Sequence, residues 1–264
     1  MNNLLQRSLT GFVYVSIFVS AILYSKESFL LLTTIFALIS LFEFNKIIQF
    51  KNIVPYFLLP LVGYYFIFHL NNNQTFLFLI LTLFTSIKLI YQLYTKVLSS
   101  PKIFLNKINL CIRYIILPFV FLMMIPFTDG SYNPQILIGI LILIWVNDSF
   151  AFLVGKNFGK RKLFESISPK KTIEGFVGGA IFSFISSYII AINTATFSAL
   201  NWFIISIIVS IIGTIGDLVE SKFKRQANIK DSGNIMPGHG GLLDRLDSLF
   251  FVSPFIYLYI HFIL

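Results

Sequence analysis

Hydrophobic residues in this chain neither alternate nor recur at every third or fourth place. They run on continuously, broken by short polar or Pro/Asn-rich stretches. The runs cover residues 8–24, 28–45, 53–70, 75–94, 109–127, 135–154, 174–193, 199–220 and 248–264. A helix needs roughly 20 apolar residues to cross about 30 Å of hydrocarbon, whereas a transmembrane barrel shows alternating segments of about ten. The pattern therefore predicts an all-α, polytopic integral membrane protein with about nine transmembrane helices. The second and last runs are the weakest in length, and one merged helix over the first two is the alternative. No small-residue cleavage site follows the first run, which reads as a retained span.

With no internal repeat and no polar interval long enough for a soluble domain, residues 1–264 read as one membrane unit. It divides into N-terminal helices (1–108) and a part in which helices and polar loops mix (109–264). Composition agrees: 56% of the 264 residues are hydrophobic and 12% charged, against about 25% charged in soluble domains. The single cysteine, Cys111, excludes an internal disulfide and reads as a small apolar residue within a span.

The net charge of +9 is one-sided. On the predicted spans, every Lys and Arg except Lys26 falls at the N-terminus or in the even-numbered loops. Cytoplasmic loops collect Lys and Arg, so the N-terminus is expected inside, the C-terminus outside, and the protein in the cell's inner membrane. Such a face attracts anionic headgroups by about 1 kcal/mol per basic residue, and it equally suits an anionic substrate.

Two polar stretches change the picture further. In "NDSFAFLVGKNFGKRKLFESISPKKTIEGFVGG", residues 147–179, Asp148 sits near the end of an apolar run, where a carboxylate is expected to face protein, water or a cation. Pro169 keeps Ser168 out of helix, Thr172 can cap the following helix, and Glu174 lies in its first turn. Lys170 and Lys171 stand just before that helix start, a natural place for a phosphate. Gly155 and Gly159 loosen the exit from the preceding span. Gly175, Gly178 and Gly179 read as close-packing positions between spans.

The other stretch is "GTIGDLVESKFKRQANIKDSGNIMPGHGGLLDRLDS", residues 213–248. Asp217, Glu220, Ser221 and Lys224 share one helical face, and Asp244, Asp247 and Ser248 repeat the spacing at the mouth of the last span. Between them the glycine-broken turn around His239 lets backbone N–H groups approach a ligand closely. Two acidic helix ends joined by such a turn suit a hard divalent ion with phosphate oxygens, magnesium first, with room for a second metal or a monovalent cation. Elsewhere, Glu43 and Lys46 are expected to pair across one helical step. His69, His261, Tyr56, Tyr64, Tyr65, Tyr91 and Tyr94 read as interfacial residues.

Residues Ser221 to Asp247, "SKFKRQANIKDSGNIMPGHGGLLDRLD", resemble the signature of the phosphatidate cytidylyltransferase (CDP-diglyceride synthase) family. Ser221, Lys224, Arg225, Lys230, Asp231, Pro237, His239, Gly240, Gly241, Asp244, Arg245 and Asp247 match it without a gap. The upstream "ND", "FGK", "SPKKTIEG" and Gly216-Asp217 are similar too, so the resemblance covers about the C-terminal 120 residues. The run Phe150-Ala151-Phe152 departs from the more polar or tyrosine-containing stretch of the family.

That resemblance implies transfer of CMP from CTP to phosphatidic acid, giving CDP-diacylglycerol and pyrophosphate with magnesium, at a site facing the cytoplasm. It implies Asp217 and Asp244 as principal metal ligands with Asp148 and Asp247 as secondary ones, and, beside Asp217 and Asp244, catalytic roles for Asp231, Asp247, His239, Lys224 and Arg225. Lys170, Lys171, Thr172, Glu174, Ser221, Lys230, Gly240, Gly241 and Arg245 are the implied substrate contacts. Partners are then CTP, phosphatidic acid and the bilayer, with a second copy of the chain as a candidate and no nucleic acid. A CTP-dependent lipid kinase is the alternative activity. A cation-coupled transporter is the alternative class, and it would require paired inverted repeats.

Overall fold

The computed structural model describes residues 3–95, 107–128, 130–238 and 240–264, the side chains of residues 3–5 and 7 excepted. His239 and the lysines at 96 and 102 lie outside the described residues. The chain is almost wholly helical: α1 (Asn3–Tyr24), α2 (Lys26–Ile47), α3 (Val54–Phe68), α4 (Asn72–Tyr94) and α5 (Lys107–Met124) come first. They are followed by α6 (Pro134–Phe158), α7 (Ile173–Asn193), α8 (Ala199–Gln226) and α9 (Leu243–Ile263). Among the described residues, seven helices are long and apolar enough to cross a membrane, while the part of α1 with described side chains (Ser8–Tyr24) and Val54–Phe68 are shorter apolar segments. The protein is thus an integral membrane protein; the second and last runs, expected to be the weakest in length, form helices of 22 and 21 residues, and the short apolar helix is α3.

Local chemistry sets the breaks. The first two helices stay separate because Ser25 and Ser28 form a reciprocal capping box, each side chain accepting from the other's backbone N–H at 3.1 Å. Such a box satisfies donors that a new helix start would leave orphaned. Asn71, Asn133, Thr172 and Ser198 cap α4, α6, α7 and α8 by a one-way bond, each side chain accepting from a backbone N–H of the first turn.

Among the described residues, two short antiparallel hairpins join helices and were not legible in the hydrophobic pattern. They are β1 (Phe127–Thr128) with β2 (Ser131–Tyr132), and β3 (Lys162–Phe164) with β4 (Ser168–Thr172). Gly130, at φ +73°, turns the first hairpin in a conformation that favours glycine.

Glycines decide how α6 meets α7. A Cβ on Gly175, Gly178 or Gly179 would run into Ala151, Val154 or Asn147 of α6, at 2.6 Å in each case. The close-packing expectation for these glycines holds. Behind the polar loops, Tyr114 is buried among Phe44, Phe223 and Phe250, with ring centroids 5.0, 5.2 and 5.4 Å away. This aromatic knot joins α2, α5, α8 and α9. Large apolar side chains such as Phe12, Phe57, Leu61, Phe84, Ile185 and Ile192 face outward, as lipid-facing positions do.

Candidate active site

Helices α8 and α9 bring the second polar stretch together. A π-helical turn at Val209–Gly213 interrupts α8, and Ser248 Oγ of α9 donates to the carbonyl of Gly213 at 3.0 Å. Such turns leave backbone groups outside the ordinary ladder. One turn on, Gly216 admits Phe251 so closely that a Cβ would lie 2.7 Å from it. The helices therefore approach side by side, and their i, i+3 and i, i+4 polar positions face each other.

The result is an alternating chain of charge. Lys171, from β4, lies 2.5 Å from Asp217 Oδ2, and Ser221 Oγ donates to Asp217 Oδ1 at 3.2 Å. Lys224 Nζ sits between Glu220 Oε2 at 2.5 Å and Asp244 Oδ1 at 2.6 Å. The other oxygen of Asp244 accepts from the backbone N–H of Ser232 (2.9 Å) and Gly241 (2.8 Å). Burial would lower the pKa of Lys171, but Asp217, with Asp148 and Asp247, outweighs it and the net shift is upward.

Acceptor atoms of Asp217, Glu220 and Asp247 lie within 4.8 Å of one another, a spacing suited to one shared cation. Glu220 is wholly buried, and its Oε1 has no hydrogen-bond donor among the described residues. Burying an uncompensated carboxylate oxygen is costly. The oxygen-only donor set therefore fits a hard divalent ion. The sequence reading placed Glu220 on this face without assigning it a ligand role, because a sequence position does not reveal complete burial. Asp244, expected as a principal ligand, has both oxygens engaged by Lys224 and the loop. Asp148 borders the site without joining the trio.

A cavity of about 640 Å³ opens over this cluster. Asp148, Lys170, Lys171, Asp217, Asp244 and Arg245 line its polar side, joined by Lys224, Asp231 and Asp247. Its apolar side is Val15, Leu141, Ile144, Phe152 and Phe176, with Tyr14 and Trp145 beside them. A neighbouring recess is bordered by Lys230, Asp231, Gly240 and Arg245.

Other expected residues hold local structure together. Arg225 Nη1 donates to the carbonyl of Ile229 at 2.9 Å, fastening the end of α8. Glu174 accepts from the backbone N–H groups of Lys160 (3.0 Å) and Arg161 (3.1 Å), bracing the basic turn. Thr172 Oγ1 caps α7 by accepting from Gly175 N at 3.1 Å. Thr172 also lines the cavity.

One expectation is overturned. Glu43 does not pair with Lys46, whose Nζ lies 4.2 Å from the centre of the Phe42 ring. Glu43 is instead buried against the loop before α9, where it accepts from Leu243 N (2.8 Å), Leu242 N (3.2 Å) and Ser232 Oγ (3.1 Å). Helical spacing places 43 and 46 near each other, but burial withdraws Glu43 from the surface that Lys46 occupies.

A family model described as the cytidylyltransferase family matches residues 5–263. The chain is 34% identical over 273 residues to a phosphatidate cytidylyltransferase of Bacillus subtilis (strain 168), covering 97% of both chains. It is 50% identical over 117 residues to one from Staphylococcus saprophyticus, which spans 44% of this chain and 45% of the relative. An enzyme of the same name from Staphylococcus aureus (strain COL) is 47% identical over 119 residues, with the same shares. Matched along nearly its whole length, the chain belongs to the cytidylyltransferase family.

Proposed function

We propose that this protein is a CTP:phosphatidate cytidylyltransferase working at the cytoplasmic face of the inner membrane. One observation carries the reading: the cavity joins a wall of lysines, arginine and carboxylates to an apolar wall formed by α1 and α6. A substrate with a phosphate head and acyl tails matches both walls, and a nucleotide triphosphate matches the charged one.

Chemically, a phosphate oxygen of phosphatidate attacks the α-phosphorus of CTP. A new P–O bond forms, the bond from that phosphorus to the α,β-bridging oxygen breaks, and pyrophosphate leaves with the electron pair. The attacking oxygen is already anionic at neutral pH, so no strong general base is required. The work left to the protein is positioning two polyanions and offsetting charge on the leaving group. Lys170, Lys171 and Arg245 are the cavity's cations for that task, with Lys230 in the adjoining recess.

Asp217, Glu220 and Asp247 would hold a magnesium ion, with Asp148 at its border. Bound there, the ion would neutralise phosphate charge. Lys224 keeps Glu220 and Asp244 compensated, and Asp244 holds the loop that carries Gly240 and Gly241.

The test is turnover by the purified protein in detergent with CTP, phosphatidate and magnesium. CDP-diacylglycerol with one equivalent of pyrophosphate is expected. CDP with a phosphorylated lipid would indicate a kinase, and absence of both products would overturn the reading.

A further inference from the structure

The described residues of the loop between Asp231 and Leu242 border the recess beside the cavity, and the loop is held from two sides by carboxylates of unequal origin. Asp244, from the helix that follows, takes the N–H groups of Ser232 and Gly241. Glu43 comes from α2, about 190–200 residues away in sequence, and takes Ser232 Oγ, Leu242 N and Leu243 N. Both Glu43 oxygens are used, and only 1% of the residue is exposed.

Leu242 and Leu243 open α9, whose start has no side-chain cap of its own. Their N–H groups belong to the set that every helix start leaves unsatisfied, and a negative charge is favoured there. The carboxylate also explains two glycines. A Cβ on Gly233 or Gly241 would collide with Glu43, and on Gly241 with Ser232 as well. The loop is thus moulded around this one side chain.

We infer that Glu43 is a positioning residue for nucleotide binding: it fixes the start of α9 and the preceding loop, and so the placement of Arg245, Asp231 and Lys230 around the CTP phosphates. The inference rests on the proposed cytidylyltransferase activity. It gives the N-terminal helices a part in substrate affinity that the C-terminal signature does not reveal.

The test is steady-state kinetics of the full chain in detergent, varying CTP and phosphatidate separately. Glu43→Gln keeps the size but loses one of the two charged acceptor oxygens. It is expected to raise the KM for CTP about tenfold and leave that for phosphatidate within twofold. Lys46→Ala, one turn away on the same helix, is expected to leave both unchanged. A purely structural defect lowers the active fraction and moves neither KM, so an unchanged KM for CTP in Glu43→Gln overturns the inference. Should Glu43→Gln fail to fold, Ser232→Ala removes one arm of the clamp and is expected to raise the KM for CTP two- to threefold. No change there overturns the inference as well. Arg245→Ala separates the two levels of the argument. If it leaves the KM for CTP untouched, the phosphate role of the loop fails. If it raises that KM while Glu43→Gln does not, only the clamp fails.

Discussion

Lys224 ties α8 to α9 through Asp244, its Nζ 2.6 Å from Asp244 Oδ1, across a loop that also hydrogen-bonds to the same carboxylate. The ammonium simultaneously meets Glu220 one helical turn back at 2.5 Å. A single cation therefore holds two buried carboxylates on different helices in register beneath the cavity.

Removing that cation leaves both acids uncompensated. Breaking a buried pair from one side typically costs about 3–5 kcal/mol. Lys224→Met is expected to lower the thermal midpoint in detergent by several degrees and to abolish measurable turnover. A variant melting like the parent would show that Lys224 does not join the helices.

Glu220 separates charge from shape. Glu220→Gln keeps its volume while removing one negative charge from the group formed with Asp217 and Asp247. Among the described residues no donor meets Oε1, and a buried oxygen left without one is costly, while Lys224 keeps Asp244 as its partner, so the midpoint is expected to stay level or rise. The magnesium concentration for half-maximal turnover is expected to rise at least tenfold. Unaltered magnesium dependence would remove Glu220 from the ligand set.

Lys171 is held by Asp217 at the rim of the same group. Lys171→Ala is expected to cost at least tenfold in kcat/KM, through loss of a phosphate partner, while leaving the protein folded. Kinetics with CTP and phosphatidate varied in turn would test this, and full activity would remove Lys171 from the site.

Two glycines offer a matched comparison. Gly241→Ala drives a methyl group into Ser232 and Glu43, and overpacking of this kind costs about 1–3 kcal/mol. At Gly63, within α3, the nearest neighbour of an added Cβ is Met123 Sδ at 4.0 Å, and Ala is the better helix former by about 1 kcal/mol. Thermal melts are expected to rank Gly63→Ala at or above the parent and Gly241→Ala below it. The reverse order would refute the packing described around Glu43.

The sequence by itself determined the class of the protein. Continuous apolar runs have one economical solution in a bilayer, because a helix satisfies its own backbone, and Thr172 marks where α7 starts. It also determined most of the chemistry of the second polar stretch, since Asp217, Glu220, Ser221 and Lys224 share a face by helical spacing alone. Tertiary structure decided which partners those groups take. That Lys224 serves both Glu220 and Asp244, that Lys171 crosses from a hairpin to Asp217, and that Glu43 leaves Lys46 to cap α9 all depend on distances between separate helices. Spacing along one segment fixes a direction from its own axis, whereas a hydrogen bond across some 190 residues depends on how glycines and aromatic side chains set the helices against one another.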